Sequence, residues 1–236
     1  MKTTLSKLCL FLGLGLFPLA LACAPSSPPP SLQQTPAAQP SRQPAQVFGH
    51  EHAGWLEREG RAESERPDEV IAAMKLRDGE VVAEIGAGTG FFSRRLAKAV
   101  GPHGKVYAED IQPEMLDLLQ KYAAEDGDAN IVTVLGTETD PKLPAGQMDW
   151  ILLVDVYHEF QEPAPMLAKI RKALKPGGRV ALVEYRAEDD SARHISPPHR
   201  MSVDQILQEW RPAGFELVER IETLPSQHLL VFTAGR

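Results

Sequence analysis

Residues Val81 to Phe92, VVAEIGAGTGFF, constrain this chain more than any other stretch. An apolar run from Val81 to Ile85 contains one acid, Glu84, and reads as a buried strand. Glycines follow at alternate positions, Gly86, Gly88 and Gly90, before Phe91, Phe92, Leu96 and Val100 open a helical pattern. Strand, glycine turn and helix together begin a nucleotide-binding α/β unit. Without side chains the backbone approaches a ligand, and its free N–H groups face it. A turn that merely joined strand to helix would not need three glycines, each costly in chain entropy. A dinucleotide fingerprint, G-x-G-x-x-G/A, would put its third small residue at position 91, where Phe91 stands. That spacing disfavours a nicotinamide-dependent oxidoreductase, which stays as a lesser alternative.

The rest of the globular part repeats the strand–helix alternation. Lys105 to Ala108 reads as strand two and ends in Glu109-Asp110; Asp110 lies 20 residues after Gly90, where an acid suits the ribose hydroxyls of a nucleoside. Pro113 opens a helix with Met115, Leu116, Leu118, Leu119 and Tyr122 at helical spacing, which is core. Ile131 to Leu135 is strand three, followed by Gly136-Thr-Glu138. Asp149 to Val154 is strand four, apolar almost throughout, as a buried parallel strand should be. It runs into Asp155-Val-Tyr-His-Glu-Phe160. Ligands of open α/β sheets bind beyond the carboxyl ends of the strands, so Tyr157, His158 and Glu159 are the candidate catalytic groups.

A further helix around Met166 to Leu174 stops at Lys175-Pro-Gly-Gly178, and Arg179 to Glu184 is strand five. Tyr185, Arg186 and, across a long polar loop, His199 and Arg200 are candidate substrate-binding residues. Ser202-Val-Asp-Gln205 is a capping box. Phe215 to Ile221 and His228 to Thr233 pair as a closing hairpin.

The E-x-G-x-G-x-G motif at 84–90, the acid at Asp110, the Leu-Lys-Pro-Gly-Gly turn and this strand order resemble the class I S-adenosylmethionine-dependent methyltransferases, from about Glu69 to the C-terminus. The resemblance implies a doubly wound, Rossmann-like α/β fold: a seven-stranded, mostly parallel sheet with an antiparallel last strand and helices on both faces. It implies S-adenosyl-L-methionine as cofactor. Glu84, Gly86, Ala87, Gly88 and Gly90 would hold its methionine end, Asp110 and Ile111 the ribose, and Thr137, Glu138 and Asp155 the remainder. Thr137 stands where the family usually has an acid. An N-terminal helix often covers the cofactor in this family, which makes Trp55 and Arg58 possible lid residues. The implied activity is methyl transfer to a small-molecule or protein nucleophile, with His158 or Glu159 taking a proton from a hydroxyl or amine.

The N-terminus reads differently. Met1 to Ala22 has a basic start (Lys2, Lys7), an apolar run from Leu8 to Leu21 and a small-residue cleavage pattern, so it is expected to be a signal peptide. Leu19-Ala-Leu-Ala-Cys23 resembles a bacterial lipobox, which makes Cys23 the expected lipidation site; plain cleavage or an uncleaved anchor are the alternatives. Residues 23–46, rich in Pro, Ser and Gln, read as a tether, and 47–78 as an N-terminal helical cap before the domain at 79–236. The expected location is outside the cytoplasm, on a membrane. Because S-adenosylmethionine is made inside the cell, an exported binding protein without turnover is the main alternative. The net charge of −7 argues against nucleic acid. No metal is expected, because His50-Glu-His52 has no third ligand nearby. The run Glu57, Arg58, Arg61, Glu63, Glu65 and Arg66 reads as an ion-paired face.

Overall fold

The computed structural model describes residues 43–235; the expected signal peptide, Cys23 and the tether as far as residue 42 lie outside the described residues. Strand β1 (Val81–Ile85) is flanked by β2 (Lys105–Asp110) and β4 (Met148–Val154), both parallel to it. Outside these lie β3 (Ile131–Leu135), parallel to β2, and β5 (Leu174–Arg186), parallel to β4. The sheet is completed by β8 (Gln227–Ala234), antiparallel to β5, and by β7 (Phe215–Ile221), antiparallel to β8. The order is β3-β2-β1-β4-β5-β8-β7, with a two-residue strand β6 (Arg200–Met201) against the end of β5. Only β8 opposes the rest, so the expected doubly wound sheet is what forms.

Helices cover both faces, which is why β1 and β4 are apolar without alternation. Ala83 and Ile85 of β1 pack with α5 (Pro163–Ala173) and α6 (Val203–Trp210). Val82 packs on the opposite face with α2 (Pro67–Met74) and α3 (Ser93–Val100), while Ala108 of β2 meets Leu119 and Ala123 of α4 (Pro113–Asp126). The Ser202 hydroxyl accepts from the Gln205 N–H, so Ser202 caps the start of α6 as the spacing required. The order in which strands are added reverses at β1, since β2 and β3 lie to one side and β4 and β5 to the other. A crevice opens there, beyond the carboxyl ends of the strands.

Several expectations need correction. Leu174 already pairs with Met148 across a bulge, so β5 begins inside the Leu-Lys-Pro-Gly-Gly stop rather than after it. The helical cap expected at 47–78 opens with a 3₁₀ helix, His50–Glu57, followed by a separate short helix α1 (Arg61–Glu65). Arg61 and Glu65, expected in an ion-paired face, do pair, but they are buried. Each satisfies the other, as buried charges must, with Arg61 Nε 2.9 Å from Glu65 Oε2. Ala45, in the stretch expected to be tether, is buried and donates its N–H to the His158 carbonyl at 3.0 Å. Among the described residues no helix is long and apolar enough to cross a membrane.

Candidate active site

The crevice is a cavity of about 360 Å³, the size of a small-molecule site. Its floor is the glycine loop. Gly86, Gly88 and Gly90 have φ of 70°, 53° and 83°, in the left-handed region that side chains avoid. A Cβ on Gly86 would run into the Val156 side chain, and one on Gly90 would sit 2.6 Å from Leu119 Cγ. Gly90 therefore serves the packing of α4 and does not line the cavity, whereas Gly86, Ala87 and Gly88 do.

Carboxyl groups surround this floor. Glu84, on the α3 face of β1, accepts a hydrogen bond from the Ser93 hydroxyl. Burial pushes its pKa up to about 8, with Ser93 and the Arg61 charge opposing. Asp110, at the end of β2, accepts from the Gly88 N–H at 2.9 Å and the Gln112 N–H at 2.9 Å; burial still raises its pKa. Glu109 is buried beside it, held well above the ordinary carboxylate range by burial and by the Asp110 charge. Its Oε1 has no hydrogen-bond partner among the described residues.

Asp155 adopts φ 48°, a strained conformation for a residue with a side chain. Its Oδ2 accepts from Gln227 at 2.7 Å, and its Oδ1 is buried with no partner among the described residues. Burial, then the charges of Glu65 and Glu184, raise its pKa strongly. With Glu138 and Glu159, six carboxyl groups line a cavity that contains one arginine, Arg61. The Arg61 guanidinium lies 4.2 Å from the Phe91 ring centroid.

The N-terminal segment forms the roof, through Val47, Phe48, Trp55 and Leu56. Glu57 fastens it to the floor, accepting from the Thr89 hydroxyl at 2.7 Å and from Arg94 at 2.7 Å. Gln112 adds a second fastening, donating to the Phe48 carbonyl and accepting from the His50 N–H, both at 2.9 Å. Trp55 therefore lines the cavity as a lid residue would, while Arg58 lies behind it, 3.6 Å from the Trp55 ring centroid.

The far wall belongs to the polar turn after β4 and to the loop after β5. His158 Nδ1 lies 2.7 Å from Glu184 Oε2, with both side chains buried. Its Nε2 lies 3.1 Å from His199 Nδ1. Glu159 accepts from the Phe48 N–H at 3.0 Å, and burial pushes its pKa up to about 7, against the pull of His158. Burial also lowers the His199 pKa and raises that of the Tyr185 phenol.

The structure thus gathers most of the residues the sequence singled out. Glu84, Ala87, Asp110, Ile111, Glu138 and Asp155 line the cavity together with His158, Glu159, Tyr185 and His199. Thr137 does not: its hydroxyl turns back onto Asp140 in a surface bridge. Tyr157 does not either, since its ring packs in the core against Trp210, 5.4 Å between centroids, and its hydroxyl donates to Glu209. Arg186 points away, binding Glu222 at 2.8 Å and the Leu224 carbonyl at 2.9 Å. Arg200 sits in β6 outside the cavity lining. Sequence reasoning missed Arg61 and gave Glu184 no role. The available signal for Glu184 was an acid interrupting an apolar strand, the same mark that picked out Glu84.

Residues 82–178 match the family model of a methyltransferase domain. Two relatives are the ubiquinone/menaquinone biosynthesis C-methyltransferases of Cupriavidus metallidurans and Burkholderia vietnamiensis, 30% and 32% identical over 115 residues. That stretch is 49% of this chain and 47% of each relative, so the chain spans about half the length of the curated relatives it matches. Among solved structures, a SAM-dependent methyltransferase from Aquifex aeolicus superimposes with a TM-score of 0.74 at 26% identity, over 80% of this chain and 100% of that one.

Proposed function

We propose, from this fold, this cavity and the methyltransferase-domain match, that the chain is an S-adenosylmethionine-dependent methyltransferase acting on a small-molecule or protein nucleophile. The observation that carries the reading is the set of acids that lines the cavity. Six carboxyls and one arginine, over a glycine bend, fit a ligand that bears a sulfonium and an ammonium group, because such cations favour the ionised form of buried acids. A dinucleotide pyrophosphate would meet those acids and a single arginine, which agrees with Phe91 standing where that fingerprint needs a small residue. The unpartnered buried oxygens Glu109 Oε1 and Asp155 Oδ1 support a polar ligand as well, because buried polar atoms are normally satisfied.

Gly86, Ala87, Gly88 and Glu84 would hold the amino-acid end of the cofactor, and Asp110 and Ile111 the ribose. Glu138 and Asp155 complete the enclosure. S-adenosylmethionine supplies a methyl group already activated on sulfur. The work left to the chain is to place a nucleophile, exclude water and accept a proton. The roof of Phe48, Trp55 and Leu56 excludes water. His158, its ring oriented by Glu184, and Glu159 are the proton-handling groups at the acceptor end. His199 and Tyr185 shape that end. Thr137, Arg186 and Arg200 play no direct part in this reading, and Tyr157 supports the turn from behind.

Calorimetry of the purified chain with S-adenosylhomocysteine and, separately, with NADH tests the reading. Saturable binding of the first, weakened about tenfold or more by Asp110→Asn, is expected; binding of NADH alone would overturn it. The signal-like N-terminus favours a second reading, an exported binding lipoprotein with the same cavity. Binding of S-adenosylhomocysteine with no transfer of labelled methyl to any extract component would select it. In either case Cys23 anchors the chain by lipid to the outer face of a membrane. Cys23→Ser should then release it into the soluble fraction.

A further inference from the structure

We infer that His158, Glu159 and His199 form a binding site for one divalent transition-metal cation of the zinc class. Their candidate ligand atoms, two imidazole nitrogens and a carboxylate oxygen, all lie within 4.8 Å of one another. His158 Nε2 and His199 Nδ1 are 3.1 Å apart. Around a tetrahedral ion with bonds of about 2.0–2.1 Å, two ligand atoms stand roughly 3.3–3.4 Å apart, so the imidazoles separate by a few tenths of an ångström and the carboxylate side chain closes by up to roughly 1.4 Å to admit the ion.

The surrounding groups are those a metal centre requires. Glu184 Oε2, 2.7 Å from His158 Nδ1, accepts a hydrogen bond from that N–H, which leaves the lone pair on Nε2, the atom that faces His199. A carboxylate behind a histidine in this manner fixes both tautomer and ring plane. The Phe48 N–H, 3.0 Å from Glu159 Oε1, steadies the third ligand. Two imidazole nitrogens at 3.1 Å need a proton or a cation between them, and two nearby carboxylates, Glu159 and Glu184, offset the charge of the latter. The donor set is two nitrogens and one oxygen, which favours zinc or ferrous iron over magnesium or calcium. All three ligands line the cavity, so the ion has an entry path and its remaining coordination positions face the enclosed space.

The metal site stands on this geometry; its use rests on the methyl-transfer reading. An acceptor thiol or phenol would have its pKa lowered at an open position, so that it would bind as the anion, its proton left in bulk water on entry, and present that anion to the methyl group. With the ion in place His158 is a ligand, and the ion takes over the task of lowering the acceptor pKa.

The test uses the purified full chain, stripped with chelator, titrated with Zn²⁺ against a chromophoric chelator. One Zn²⁺ per chain with a Kd of about 1 µM or tighter is expected. His199→Ala should weaken it by at least about 100-fold and Glu184→Gln by about 10–100-fold, while a His50→Ala/His52→Ala double variant should leave it unchanged. If His199→Ala does not fold by circular dichroism, His199→Gln replaces it, because residue 199 lies in a half-buried turn that tolerates a side chain of similar length. A Kd weaker than about 100 µM, binding that survives loss of His199, or binding lost with His50 and His52 would overturn the site. S-adenosylhomocysteine binding to the metal-free wild type reports separately on the methyl-donor reading.

Discussion

Glu84 offers the most quantitative test of how this cavity is built. Its carboxyl is buried at 3% exposure, and burial pushes its pKa from an ordinary 4.5 up to about 8. Between those values the folded chain holds a proton that the unfolded chain has released. Stability from this group is therefore full below about pH 4.5 and is lost as pH rises to about 8. A shift of about 3.5 units at about 1.4 kcal/mol each is on the order of 5 kcal/mol. Asp155, Glu109 and Asp110 are raised too, so the wild-type curve is a sum. The difference between wild type and Glu84→Gln isolates the one group.

Urea unfolding at a series of pH values should show Glu84→Gln gaining roughly 3–5 kcal/mol relative to wild type between about pH 5 and about pH 8. A difference that stays flat to within about 0.5 kcal/mol over that range would refute the burial argument. A ligand carrying an ammonium group should displace the same proton. S-adenosylhomocysteine affinity should then rise with pH by up to about tenfold per unit below about pH 8, with proton release visible in calorimetry across buffers. Glu84→Gln should abolish that slope.

Two further outcomes follow from the geometry. Gly86→Ala should cost about 2–4 kcal/mol, from a left-handed φ together with overlap onto Val156, and denaturant unfolding that shows less than about 1 kcal/mol would count against the loop as drawn. Tyr157→Phe should lose about 1 kcal/mol with its hydrogen bond to Glu209, yet leave S-adenosylhomocysteine affinity within about twofold; a large affinity change would place the phenol in the cavity after all.

On the proposed reading, one cavity would host a cationic cofactor and a metal ion at separate places. The carboxyls proposed for the cofactor, Glu84 and Asp110, lie at the ends of β1 and β2, whereas the residues proposed for the ion, His158, Glu159 and His199, lie past β4 and β5. The separation follows from the strand order, which sets β2 and β5 on opposite sides of the β1–β4 crevice.

The sequence by itself determined the sheet and the location of the cavity. Apolar runs, the glycine spacing, the acid at Asp110 and the Ser202 cap are local signals, and each acts within a few residues of where it is written. Only the tertiary structure decided which polar side chains meet. After β4 the chain enters a 3₁₀ turn, Tyr157–Glu159, in which successive side chains point about 120° apart. His158 and Glu159 face the cavity and Tyr157 faces the core, a choice the string of letters cannot reveal. The Glu184–His158–His199 array joins residues 26 and 41 positions apart, brought together by the β4–β5 pairing and the returning loop. Arg61, one of several charges in a polar run, is buried because Glu65 lies one helical turn away and the Leu56 carbonyl accepts from its guanidinium. Burial of a charge depends on partners, and partners are set by packing.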